Sequence, residues 1–109
     1  MSLTLLGIES DELEPSDSGY PADWTDFDVR MEVELCFRGH EADSVYFEFY
    51  VASPVALARR QTNSFMPPTL VLDEFDWNVI TDHVTKALMH VHASKSWSEV
   101  AVKLSGMLR

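Results

Sequence analysis

The chain has 109 residues, 46% of them apolar and 24% charged, which suits one globular domain with a core of its own. Eighteen acids face eight Lys plus Arg, a net charge of −10; thirteen of the acids and only two of the bases (Arg30, Arg38) lie in residues 1–50, which leaves that half at −11. Such a field excludes nucleic acid and anionic membranes as partners and favours a cationic one, and no apolar run approaches the ~18 residues of a membrane span.

The amino terminus, MSLTLLGIESDELE, lacks the basic n-region of a secretory signal. Leu3 to Glu9 reads as a short apolar strand. Ser10 to Trp24 is broken by Pro15, Gly19 and Pro21 and reads as a structureless loop carrying Asp11, Glu12, Glu14, Asp17 and Asp23 without a base. A loop of that length points to function or mobility. Residues 27–38 then alternate strictly. Phe27, Val29, Met31, Val33, Leu35 and Phe37 share one face; Asp28, Arg30, Glu32, Glu34, Cys36 and Arg38 share the other. Period two of this kind marks a strand buried on one side and wet on the other. Gly39 and His40 turn the chain into a second alternating run, with Val45, Phe47, Phe49 and Val51 opposite Ser44, Tyr46, Glu48 and Tyr50, so an antiparallel hairpin is expected.

Ser53-Pro54 opens a helix, with Ser53 as N-cap and Pro54 in the first position. It runs from Val55 to Thr62 and stops at Asn63. Met66-Pro67-Pro68 breaks the chain, and Thr69 to Glu74 reads as a strand. Asp76 caps the next helix, whose stripe is Trp77, Ile80, Val84, Ala87, Leu88 and Val91, with Phe75 and Ile80 placed as a hydrophobic staple. Ser96-Trp97-Ser98-Glu99 is a capping box that starts a last helix lined by Val100, Ala101, Leu104, Met107 and Leu108. The order β-β-β-α-β-α-α predicts an α+β domain in two layers: an antiparallel sheet of about four strands with the helices packed on one face.

Candidate chemistry is thin. His83 and His90 lie on one side of a helix but about 10 Å apart at 1.5 Å rise per residue, too far to share a zinc ion. Cys36 has no partner for a disulfide, which suits a reducing cytoplasm, and it lies between Glu34 and Arg38 without a base to activate it. Asp73 and Asp76 flank a strand-to-helix junction where Asp76 has a capping role. Nothing assembles a nucleophile, a base and oxyanion donors, so the chain reads as a non-enzyme with no metal or cofactor.

The acidic half reads as a binding surface. Alternate side chains on a strand lie ~6.6–6.8 Å apart, so Asp28, Glu32 and Glu34 form a spaced carboxylate row interrupted by Arg30. Tyr46 and Tyr50 stand on the polar face of the neighbouring strand, either as interface anchors or beneath the 54–62 helix or a loop. With the loop acids and Trp24, the candidate partner-binding set is Asp11, Glu12, Glu14, Asp17, Asp23, Trp24, Asp26, Asp28, Glu32, Glu34, Tyr46 and Tyr50.

The stretches FEFYVASPVALAR, VLDEFDWNVITDHV and SWSEVAVKL, in this order and spacing, resemble the Imm8 family, immunity proteins encoded beside the toxins of bacterial polymorphic toxin systems. The resemblance runs from Leu3 to about Leu108. It implies a cytoplasmic protein that binds a cognate toxin domain and covers its active site, and the family has no catalytic signature to carry over. Joined to the charge, it makes a basic toxin the expected partner, with a nuclease as the leading guess. An acidic adaptor or chaperone for a secreted effector is the competing reading.

Overall fold

The computed structural model describes residues 3–60 and 67–91. Its elements are β1 (Leu3–Glu9), β2 (Asp28–Phe37), a 3-10 turn (Glu41–Asp43), β3 (Val45–Ala52), α1 (Pro54–Arg59), β4 (Thr69–Val71) and α2 (Trp77–Val91). The strands form one sheet in the order β1-β2-β3-β4, an α+β fold. The expected stop at Asn63 and the last helix with its capping box lie outside the described residues.

The period-two reading of residues 27–38 and 45–51 gives the hairpin. Strands β2 and β3 pair antiparallel from Asp28↔Ala52 to Leu35↔Val45, and Gly39 turns the chain between them at φ +88°, a conformation that favours glycine. Strand β1 pairs antiparallel with β2, but the register slips between Leu5 and Gly7. This bulge lets Leu3, Leu5 and Ile8 all pack against the core while Leu6 turns outward, 41% exposed.

The expectation of an antiparallel sheet needs correction: β4 runs parallel to β3, with Tyr50↔Thr69 and Ala52↔Val71, so the sheet is mixed. A tight turn returns a strand antiparallel, whereas a crossover through a helix brings the chain back to the same end. Here α1 lies between β3 and β4 in the chain. Strand β4 is also shorter than the Thr69–Glu74 expected, and α1 ends at Arg59.

Helix α2 lays Ile80, Val84, Ala87, Leu88 and Val91 on the sheet face formed by Val29, Met31, Val33, Leu35, Phe49 and Val51. Asp76 caps it through its Oδ1, which accepts from the Asn78 amide at 2.9 Å, and Phe75 and Ile80 both lie in the core. Burying each such large apolar side chain contributes ~1.5–3 kcal/mol. Helix α1 lends only Ala56 to the interior. Its start is fixed by the buried Ser53 Oγ, which accepts from both the Ala56 and the Phe27 amides, at 3.3 and 3.1 Å. One hydroxyl thus ties the start of α1 to the approach to β2.

The loop after β1 has no strand or helix, as expected, yet it is tied down. The Ser10 amide donates to Ser16 O at 2.8 Å and the Gly19 amide to Pro15 O at 2.7 Å. Ser10 Oγ donates to Arg30 O at 2.6 Å, and Leu13 enters the core. The Trp77 indole N–H donates to Gly19 O at 2.7 Å, joining the loop to α2. At Gly19 a Cβ would fall 2.7 Å from backbone N, C and O of Glu14. Replacing Gly19 with alanine should therefore cost about 1–3 kcal/mol by overpacking. Urea unfolding reads it, and an unchanged midpoint would mean that the Glu14 backbone yields freely.

Candidate protein-binding face

Alternation sends one side of each strand into the core and leaves the other side outward. On that outer face β2 supplies Arg30, Glu32 and Glu34. The registers put Glu9 of β1 and Glu48 of β3 directly opposite Glu32, on either side of it. Directly opposed residues stand ~4.5–5.5 Å apart at Cβ, and like charges so placed are destabilising. Three carboxylates therefore line up across three strands. Beside them Tyr46 pairs with Glu34, and Tyr50 pairs with Arg30.

One guanidinium balances this row. Arg30 pairs with Asp11 and comes within 3.9 Å of Glu32 and 3.8 Å of Glu48. Glu34 accepts from Ser44 Oγ at 2.6 Å. A cavity of about 200 Å³ opens among Glu9, Asp17, Glu32, Glu34 and Tyr46, floored by residues 6–8. A wider hollow of about 590 Å³ lies among Asp11, Glu12, Asp28, Arg30 and Tyr50.

The two tyrosines separate. Tyr46 is 56% exposed, so the interface alternative stands for it. Tyr50 is partly covered, with the Arg60 guanidinium 5.3 Å from its ring centre. Both phenols are pushed above their ordinary 10.0, Tyr46 first by the charge of Glu34 and Tyr50 first by burial, then by Glu48. Since the fold favours the neutral phenol, stability from this source is intact below about pH 10 and falls as pH rises past it. An ultraviolet titration, differenced against Tyr46→Phe, should show Tyr46 ionising late, and Glu34→Gln should bring it back down. An unmoved Tyr46 in that variant would remove Glu34 as the cause.

Of the expected binding acids from Asp11 to Asp28, five are engaged with the fold. Asp11 pairs with Arg30, and Glu12 Oε1 accepts the Arg30 amide at 2.6 Å. Asp26 pairs with Arg59. Asp28 takes Arg60 in a two-pronged pair, both contacts 2.7 Å, and Arg60 also reaches Thr69 Oγ1 at 2.8 Å. Asp23 accepts the amide and the hydroxyl of Thr25, both at 2.9 Å, and these bonds hold its carboxyl below the usual range. Asp17 lines the 200 Å³ cavity, and Glu14 is exposed. The outer face thus gathers Glu32, Glu34 and Tyr46 from the expected set and adds Glu9 and Glu48. Both additions had the right strand parity in the sequence, but their meeting at Glu32 depends on register.

Cys36 was expected on a wet face. It is buried where β2 pairs with Thr4 and meets the 3-10 turn, and burial pushes its thiol up, followed by the charges of Glu41 and Glu34. A thiol so held is a poor nucleophile. His90 is exposed and His83 half-buried on α2. Among the described residues no three His, Cys, Asp or Glu side chains meet as metal ligands, and no helix is long and apolar enough to cross a membrane.

Comparison with family models matches residues 3–109 to Imm8, described as immunity protein 8. No curated protein and no solved structure matches the chain.

Proposed function

The chain belongs to the immunity protein 8 (Imm8) family, and from that membership we propose that it neutralises a cognate bacterial toxin domain by seating the outer face of its sheet over the toxin's active site. An immunity protein of this kind does no chemistry; it obstructs. The observation that carries the reading is the row of Glu9, Glu32 and Glu48, held side by side by strand pairing with one guanidinium among them. In the free chain each facing pair costs a few tenths to about 1 kcal/mol. A lysine or arginine from a partner relieves that repulsion, so charge that weakens the fold strengthens the complex and speeds its formation.

A toxin that cuts nucleic acid must hold phosphates in a basic groove. Carboxylates spaced along and across strands stand in for those phosphates, which makes a nuclease the toxin class best fitted to this face. The setting is a polymorphic toxin system, with the protein kept in the cytoplasm of the producing cell.

Co-expression with the toxin domain encoded beside it is the test. Growth should be restored, and the association rate should fall as salt rises. Increased toxin yield with undiminished toxicity would make the chain an adaptor, and salt-independent association would remove the outer face from the mechanism.

A further inference from the structure

The outer sheet face leaves Tyr20 and Trp24 unexplained. They are 44% and 52% exposed, with ring centres 4.7 Å apart and planes tilted by 32°. Neither belongs to the core cluster or to the half-buried side chains packed on it. They are nonetheless fixed. Tyr20 meets the buried ring of Phe75 edge-on at 5.5 Å, and Phe75 meets Phe27 at 5.4 Å and Trp77 at 5.7 Å. The backbone is pinned on both sides of the pair, where Gly19 O accepts from the Trp77 indole and Trp24 O accepts from the Phe75 amide at 2.8 Å. An aromatic pair held open on a rigid support loses little freedom when a partner lands on it, which is how interface anchors gain strength.

The surroundings choose the partner's chemistry. From Glu9 to Asp28 there are eight carboxylates; Asp11, Asp26 and Asp28 are paired with Arg30, Arg59 and Arg60, which leaves five without an ion pair among the described residues. Asp23 adjoins Trp24, its carboxylate fixed by Thr25. An apolar occupant would strip water from that carboxylate and leave it unmatched. A second copy of a chain with net charge −10 would be repelled. A guanidinium satisfies both groups at once, stacking on an indole face and donating to a carboxylate. The same loop carries Asp17, which lines both the outer-face cavity and a hollow beside Trp77 and Thr81.

We propose that Tyr20 and Trp24 form an aromatic anchor for an arginine of the toxin, its guanidinium stacked on Trp24 beside Asp23. The identity of the partner rests on the toxin-binding reading above; the preference for a guanidinium does not. Titration of the ¹⁵N-labelled chain with an acetylated Gly-Arg-Gly-Arg-Gly amide tests that preference directly, with citrulline and lysine versions as controls. The Trp24 indole signal, assigned with Trp24→Phe, should move with the arginine peptide at least threefold more than with either control, while the Trp77 indole stays in place. An unmoved Trp24, equal shifts with citrulline, or shifts that track protein concentration alone would overturn the anchor.

Co-expression with the toxin domain separates the two claims. Trp24→Ala should lower protection at least tenfold with an unchanged melting temperature, and Trp24→Phe should keep part of it. Full protection by Trp24→Ala would sink the anchor and leave toxin binding standing. Failure of the unaltered chain to protect would sink the toxin-binding reading, and the peptide titration would still decide the guanidinium preference.

Discussion

Replacing Phe75 with alanine should remove about 3–5 kcal/mol of folding stability, the range for deleting a fully buried phenylalanine ring. The side chain is 2% exposed and meets three other rings: Tyr20 and Phe27, from the chain before and at the edge of β2, and Trp77 at the start of α2. Its loss opens a cavity where three separate segments converge, and no neighbour is placed to fill it without giving up its own contacts. A small domain has about 5–15 kcal/mol in total, so this one change consumes about a fifth or more. Urea unfolding measures the cost. Hydrogen exchange localises it, since the amides of Gly19 and Phe75, held by Pro15 O and Trp24 O, should lose protection before those of β2. Phe75→Leu should cost markedly less. A loss under about 1 kcal/mol for the alanine variant would mean that the ring column is not what orders the loop.

The second large effect is expected at Glu32, and it has opposite signs in the free and bound states. Glu32→Lys places a cation between Glu9 and Glu48, turning two repulsions into attractions, so the isolated chain should melt higher. The Arg30 contact at 3.9 Å is lost, but a half-exposed pair of that length contributes little. Association with a basic toxin should meanwhile slow at least tenfold at low salt, and the gap should narrow as salt rises. Asp73→Lys, an equal change of charge at an exposed site after β4, serves as the control. If both variants bind alike, steering comes from total charge and not from this face. If Glu32→Lys unfolds the chain, the row is structural; Glu32→Gln, which only removes the charge, then keeps the question open to measurement.

Much of the scaffold could be read from residue order. Strict alternation over 27–38 and 45–51 identified the hairpin and its inward face, and Ser53, Pro54 and Asp76 marked helix starts through capping chemistry that needs only neighbours in the chain. Alternation carries no direction, so nothing in Thr69–Val71 revealed that β4 would run parallel to β3. Parity alone also misplaced Cys36, because what covers that position is the first strand and the turn after β2. The site was legible as a composition and not as an arrangement. Asp28 and Arg60 are 32 positions apart, and Asp26 and Arg59 are 33 apart, so their neutralisation was invisible until the chain folded. The converse holds for Glu9 and Glu48, which become important only because pairing brings both of them to Glu32.

The slip at Leu6 has a consequence for how recognition proceeds. Strand β1 is outermost in the sheet among the described residues, the position where another chain's strand would zip on and seed aggregates. Between Leu5 and Gly7 the hydrogen-bonding rhythm is interrupted, and Glu9 ends the strand with a charge. An incoming backbone finds no continuous template there. A partner that meets this edge therefore has side chains to read and no continuous ladder to extend, so the irregularity favours selective contacts over strand addition.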